Sequence, residues 1–357
     1  MRRATLLALC LGTLACGSNA PGHPSPNPSP AADPSSRSGF TYRGLTHVSW
    51  WHDEYQYAGA QVSREQLTAT NANWAGVLVT WYMEARDSTA IAPVALRTPT
   101  DESLVAAIRD LHGRGVKVML KPHVDVLDGS WRGTIRPSDA TAWFASYDAF
   151  MTRQAALAQA SGVEMLCVGT ELATMSDARY LAQWSTIIGH VRTQYRGLLT
   201  YAANAVSAGD EFTSVSFWAQ LDLAGLDAYT PLTDKADPSR DELVQGWSRN
   251  RNGENMVAAF RNWHASHGKP VLMTELGYRS ADGTNRAPWD WQASAPDDPG
   301  EQADCYDAAF RAWAPEAAWM RGIIWWDWDV PVPSANDTGY TPRNKPAEQV
   351  LVSWQSP

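Results

Sequence analysis

Eight short apolar runs punctuate the chain, at Gly44–Trp50, Ala75–Trp81, Val116–His123, Glu164–Gly169, Leu198–Ala203, Leu223–Ala228, Val271–Glu275 and Gly322–Trp326. They are close to continuously apolar rather than alternating, the pattern of strands covered on both faces. Amphipathic stretches with recognisable ends lie between them. Asp101–His112 runs from the cap residue Thr100 to Gly113, and Asp139–Ala160 follows Ser138 and stops near Gly162. Asp177–Arg196 follows Ser176 and stops at Gly197, and Glu301–Trp313 follows Pro299-Gly300. Alternating strand and helix implies parallel strands, and eight strands imply an α/β fold closed into a single (β/α)8 TIM barrel. An open doubly wound sheet would show a glycine-rich phosphate loop after its first strand. Gly113-Arg114-Gly115 instead precedes a strand and lacks the third glycine.

Two runs lead to a glutamate. Val168-Gly169-Thr170-Glu171 places Glu171 just after the fourth strand, and Val271-Leu272-Met273-Thr274-Glu275 places Glu275 at the end of the seventh. In such barrels the C-terminal strand ends carry the chemistry. Two carboxylates there, one keeping its proton near neutral pH and one ionised, are the minimum machinery for cleaving a glycosidic bond with retention. Each glutamate alone has a plain alternative, capping the next helix or pairing with a rim arginine. Both standing at strand ends, among polar and aromatic neighbours, favours catalysis.

Lys121 and His123 alternate along the third strand and share one face. Both suit sugar hydroxyls, with a buried ion pair or network to Asp125 as the alternative. Tyr229, at the end of the sixth strand, is placed to hold Glu275 or to reach substrate. Trp325 and Trp326 point to opposite sides of the eighth strand, and Trp326 is favoured as the platform at the mouth. Trp50 ends the first strand beside Trp51 and His52 and is a subsite candidate. Trp131 and Trp289 lie in loops that would extend a cleft. Asp227, Asp327, Asp329 and Glu84 are competing carboxylates. No His-Glu-x-x-His, Gly-x-Ser-x-Gly or phosphate loop occurs. His47, His52 and His123 are a remote metal alternative; no metal and no cofactor is expected.

Further blocks carry a resemblance. Cys167-Val168-Gly169-Thr170-Glu171-Leu172, Leu199-Thr200-Tyr201-Ala202-Ala203-Asn204, Leu223-Ala224-Gly225-Leu226-Asp227-Ala228-Tyr229 and Thr274-Glu275-Leu276-Gly277-Tyr278-Arg279-Ser280 look like glycoside hydrolase family 113. So do Lys121-Pro122-His123 and Ile324-Trp325-Trp326, and the blocks follow the family's order from Gly39 to Trp354. The resemblance implies a retaining (β/α)8 glycosidase acting mainly as an endo-β-1,4-mannanase. It makes Glu171 the acid/base and Glu275 the nucleophile, and it implies structural or hydroxyl-binding roles for Asp227, Asp327, Asp329 and Glu84. The broader clan has Asn before the acid/base, touching the sugar 2-hydroxyl. Thr170 stands there in this chain, and Asn204 is the candidate for that contact. The implied partner is β-mannan or glucomannan. Another β-glycan such as β-glucan, or a lipoprotein that binds glycan without cutting it, are the alternatives.

Composition adds the setting. The 18 Trp suit carbohydrate handling, since flat aromatic faces pack on sugar rings, although core packing uses Trp as well. Residues 1–15, with Arg2 and Arg3 before an apolar stretch too short to span a bilayer, read as a secretory signal. Ala15-Cys16-Gly17 resembles a bacterial lipoprotein cleavage box, which would lipidate Cys16, though Thr13 stands where Leu is usual. Residues 16–38, rich in Pro and Ser, read as an extended tether, and 39–357 as the catalytic domain. An exported protein, free or anchored to the cell envelope through Cys16, is expected, as is a monomer. Without Arg2 and Arg3, 27 basic residues face 38 acidic ones, a net of −11, which argues against nucleic acid and anionic lipid as partners. Cys167 and Cys305 are expected as buried thiols.

Overall fold

The computed structural model describes residues 36–356. The strands are β1 (Tyr42–His47), β2 (Trp74–Met83), β3 (Lys117–Val126), β4 (Met165–Thr170), β5 (Leu198–Asn204), β6 (Ala224–Asp227), β7 (Val271–Glu275) and β8 (Met320–Trp328). They pair in parallel in chain order, and β8 returns to β1 to close the barrel. The (β/α)8 expectation therefore holds. Edges differ. β1 stops at His47, so Trp50, Trp51 and His52 lie in the turn beyond it. The reason is local: Trp50 N–H donates to Glu54 Oε2 (2.8 Å) and Ser49 Oγ donates to the Trp51 carbonyl (2.9 Å), so side chains replace the ladder.

Helices α1 (Ala58–Ala69), α2 (Asp101–Gly113), α3 (Ala140–Ala160), α4 (Leu181–Gln194), α5 (Arg240–Ser248), α6 (Met256–His267), α7 (Pro299–Trp313) and α8 (Pro346–Gln355) surround the barrel. Thr100 caps α2 as expected, accepting from Ser103 N–H. The stretch predicted as a helix from Asp177 opens with a 3-10 turn, Ala178–Tyr180, and becomes α-helical at Leu181. The β5–β6 connection holds two 3-10 turns, Glu211–Thr213 and Trp218–Gln220, where an α-helix would ordinarily stand.

The barrel interior is layered. Tyr42, Trp74, Met119, Met165, Leu223, Leu272 and Ile324 form an apolar floor. Along β3 the inward residues climb from that floor: Met119 packs in it, Lys121 lies fully buried above it, and His123 stacks on Trp326 at the mouth (5.9 Å, 7°). That succession follows from the two-residue repeat of a strand. Gly225 is needed in this narrow interior, because a Cβ there would sit 2.5 Å from the Tyr201 carbonyl oxygen.

Residues 36–38 do not continue as tether. Arg37 N–H donates to the Ser356 carbonyl (2.9 Å), Ser38 N–H to the Trp354 carbonyl (3.1 Å), and the Arg37 guanidinium lies 4.0 Å over the Trp354 ring. The folded unit therefore includes Arg37 and Ser38, because α8 offers unpaired carbonyls at its C-terminus. The predicted signal, Cys16 and the remaining tether lie outside the described residues.

Candidate active site

Glu275 ends β7 and is buried. Its Oε1 accepts from Lys121 Nζ (2.5 Å) and its Oε2 from the Tyr229 hydroxyl (2.7 Å). Lys121 reaches it from β3, on the opposite side of the barrel. The long lysine stem allows this, and the compact ammonium then serves two carboxylates at once. Asp227, the cross-strand partner of Glu275, is 3.3 Å from Nζ through both oxygens and also accepts from Thr274 Oγ1 (2.8 Å). Burial disfavours the Lys121 charge, but Asp227 and Glu275 outweigh it and hold the lysine above its ordinary value. Burial, and then the charge of Glu275, push Asp227 well above the usual carboxylate range. Burial and Glu275 likewise push the Tyr229 hydroxyl well up, so it remains a donor.

Glu171 lies one residue beyond β4, with φ +49°. An L-residue in the left-handed region carries about 1–2 kcal/mol of strain. Its N–H donates to the Ala202 carbonyl (2.8 Å) and that of Leu172 to the Tyr201 hydroxyl (2.8 Å), so both peptides are held to β5. Glu171 Oε1 accepts from Asn204 Nδ2 and Oε2 from Arg132 Nη1, each at 3.2 Å. Burial pushes Glu171 up to about 7; Arg132 pulls against it, and the charge of Glu275 adds to it. A buried acid that titrates near neutrality and a buried carboxylate that accepts from a lysine and a tyrosine can divide acid/base and nucleophilic work between them.

Above them, Val48, Leu78, Val206, Tyr229, Trp326 and Tyr340 form the apolar mouth, with Trp50, Trp289 and Trp291 packed on it. Trp325 faces outward and stacks on Tyr306 of α7 (3.9 Å). His123 Nε2 is 3.6 Å from Glu275 Oε1 and has no protein hydrogen-bond partner. Burial, then Arg132 and Lys121, hold this imidazole far below its usual range, so it is neutral.

The structure thus gathers Glu171, Glu275, Lys121, His123, Asn204, Tyr229, Trp326 and Trp50 at one barrel mouth. Lys121 needs correction as a sugar contact: it has no exposed surface, and its donors go to Asp227, Glu275 and the Thr274 carbonyl (3.4 Å). Nor does it pair with Asp125, which lies four residues along the same strand, about 13 Å away. Asp125 instead binds Arg132, which also reaches the Val124 carbonyl (3.2 Å). His47 stacks edge-on against Tyr55 (5.2 Å) and bonds the Trp328 carbonyl (3.2 Å). Among the described residues, His47, His52 and His123 do not gather into a metal-binding group. Cys167 and Cys305 are buried free thiols. Sequence reasoning missed Arg132 and Glu211. Both sit in 3-10 turns between elements, where no periodicity marks a functional side chain.

A (β/α)8 barrel with a matched carboxylate pair at the ends of β4 and β7 defines a glycoside hydrolase. The sequence profile described as Glycoside Hydrolase Family 113 matches residues 46–345. The chain belongs to this family. A family 113 β-mannanase, AaManA from Alicyclobacillus acidocaldarius in complex with ManMIm, is 31% identical with a TM-score of 0.77; the match covers 88% of this chain and 96% of that one. A family 113 β-1,4-mannanase structure is 25% identical, TM-score 0.77, covering 88% and 98%. A family 5 mannosidase from Rhizomucor miehei, 12% identical with a TM-score of 0.57 over 88% and 92%, shares the fold. No curated protein sequence matches the chain.

Proposed function

We propose that this glycoside hydrolase is a retaining endo-β-1,4-mannanase. Glu275 attacks the anomeric carbon while Glu171 gives its proton to the departing glycosidic oxygen. The C–O bond to the leaving sugar breaks, and a glycosyl ester on Glu275 forms. Glu171, now a carboxylate, takes a proton from water, whose oxygen displaces Glu275 and releases a β-configured product. The observation that carries this division is the asymmetry of the pair: burial lifts Glu171 to about 7, whereas Glu275 accepts from Lys121 and Tyr229. Trp326 and Trp50 offer rings for sugar faces. His123 Nε2 is a buried polar atom without a protein partner, and a sugar hydroxyl would satisfy it. Asn204, already on Glu171, is the candidate for the 2-hydroxyl.

Mannan as substrate rests on the likeness to family 113 β-mannanases. Reducing-sugar release from mannan, glucomannan, cellulose and laminarin tests it, with mannan and glucomannan expected to be cleaved and cellulose and laminarin spared. Preferential cleavage of laminarin or cellulose would replace mannan with a β-glucan. Proton NMR of the first product should show the β anomer; an initial α anomer rules out retention. Export with lipidation at Cys16 belongs to the same reading. Mass spectrometry of the mature N-terminus should find a diacylglyceryl cysteine.

A further inference from the structure

We propose that Glu211 is a positioning residue for the proton donor, anchoring from behind both chain segments that hold Glu171. This rests on the acid/base role proposed for Glu171. Glu211 opens the 3-10 turn that follows β5 and is 1% exposed. Its two oxygens take three donors. Oε1 accepts from the Tyr201 hydroxyl (2.5 Å) and Ser176 Oγ (2.7 Å), and Oε2 accepts from Asn204 N–H (2.9 Å).

Two of these bonds lead directly to Glu171. Asn204, fixed through its N–H, donates its side-chain amide to Glu171 Oε1 (3.2 Å). Tyr201, which spends its proton on Glu211, thereby turns an oxygen lone pair to Leu172 N–H (2.8 Å). Leu172 is the residue after Glu171, whose backbone is in the left-handed region. The third bond, from Ser176, ties down the β4–α4 loop a little further along. One buried carboxylate therefore joins the end of β4, the loop after it and the end of β5.

A neutral acceptor would not do the same. Glutamine has one acceptor oxygen, and its NH2 would face the Asn204 or Tyr201 donor. Burying a carboxyl group is costly, so its presence calls for a return. Its charge also bears on Glu171. Burial is the main force raising Glu171, the Arg132 and Lys121 charges oppose it, and Glu275 and Glu211 reinforce it. Burial lifts Glu211 itself to about 7, against the pull of its Tyr201, Asn204 and Ser176 donors, with Asp227 the nearby charge that adds to the rise.

The test compares leaving groups in the full-length protein. Dinitrophenolate departs without a proton, whereas phenolate needs one. In Glu211→Gln, kcat/KM on phenyl β-mannotrioside should fall about 10-fold or more, a part of what a general acid supplies. The dinitrophenyl mannotrioside should lose under about 3-fold, because its departure does not draw on that acid. Tyr201→Phe, which cuts only the Leu172 arm, should show the same selectivity in smaller measure, and it serves if Glu211→Gln fails to fold. Equal losses on both substrates in both variants, or no loss, would overturn the proposal and leave Glu211 as scaffold. A carbon-13 NMR titration of the Glu171 carboxyl needs no turnover. Its midpoint should lie lower in Glu211→Gln than in wild type; an unmoved midpoint and an unchanged Glu171 carboxyl shift count against the proposal. If wild type cleaves no β-mannoside, the mannan reading fails by itself, and this titration still decides the role of Glu211.

Discussion

The two carboxylates at the mouth are held in different ways. Glu275 is the last residue of its strand, and its partners Lys121, Tyr229 and Asp227 lie on β3, just past β6 and on β6, inside or at the lip of the barrel wall. Glu171 stands one step beyond its strand, and its partners Arg132 and Asn204 come from a loop turn and a strand end. A nucleophile must stay ionised and aimed through both chemical steps, which suits a seat made of strand residues. An acid/base must lose and regain a proton, which suits a carboxylate that accepts two longer hydrogen bonds, 3.2 Å each, from Asn204 and Arg132. In the proposed mechanism, the difference between the two roles follows from how far past its strand each carboxylate sits.

Removing either carboxylate is the strongest way to break that comparison. Glu275→Ala should lower kcat by on the order of 10^4-fold or more, and azide should restore turnover with an α-glycosyl azide as product. A fully active Glu275→Ala would end the assignment. Glu171→Ala should cost on the order of 10^2–10^4-fold on mannan and far less on a dinitrophenyl glycoside, with a β-glycosyl azide as the rescued product. The pH profile carries the sign. Glu171 must be protonated for the first step, so kcat/KM should fall as pH rises through about 7, and this alkaline limb should vanish in Glu171→Ala. The same azide anomer from both variants would erase the distinction between the two seats.

The seat of Glu275 has a structural cost that a stability measurement reads. Lys121 is the cation between two buried carboxylates, and Lys121→Met leaves both facing each other without it. Breaking a buried pair in this way typically costs about 3–5 kcal/mol. Urea denaturation near neutral pH should show a loss of that order, shrinking at acid pH as Asp227 takes up a proton; its folded value is raised, so the penalty belongs to the higher pH. An unchanged midpoint would mean that Lys121 serves something other than this network.

The barrel and the strand-bound half of the site were legible in the sequence. Continuous apolar runs mark buried parallel strands, and period two along Met119, Lys121 and His123 predicts a shared face. Glu275 and Tyr229 are readable because they end such runs. Four helices, α1, α5, α6 and α8, escaped that reading, α6 although Asn255 caps it by accepting from Ala258 N–H. α1 contains Gly59, Val62 and Thr68 and has no side-chain N-cap hydrogen bond, and α8 follows Lys345 without one. α5 has a full capping box, Ser239 with Glu242, which is a sequence-level signal that went unread. Arg132 and Glu211 were not readable in the same way. Their partners lie 39 and 35 positions away in Glu171 and Ser176, and only the closed barrel brings those segments together. Lys121 was misread for a similar reason: a strand keeps Lys121 and Asp125 on one face but far apart, while the barrel places Asp227 and Glu275 opposite.

The smallest expected effect concerns Arg132, and it separates the two electrostatic neighbours of Glu171 by sign. The guanidinium donates to Glu171 Oε2 and so favours the ionised carboxylate. Arg132→Met removes that charge. It also frees the Asp125 carboxylate, whose negative charge lies near Glu171 through the shared arginine. Both changes make Glu171 hold its proton more tightly. The alkaline limb of kcat/KM should therefore move to higher pH, by about one unit, whereas Arg132→Lys keeps a cation and should move it less. Glu211→Gln should move the same limb to lower pH. A double variant should land between the two, since the two charges act on Glu171 with opposite sign. If Arg132→Met and Glu211→Gln shift the limb in the same direction, the acidity of Glu171 is set by the ordering of its surrounding segments rather than by these charges.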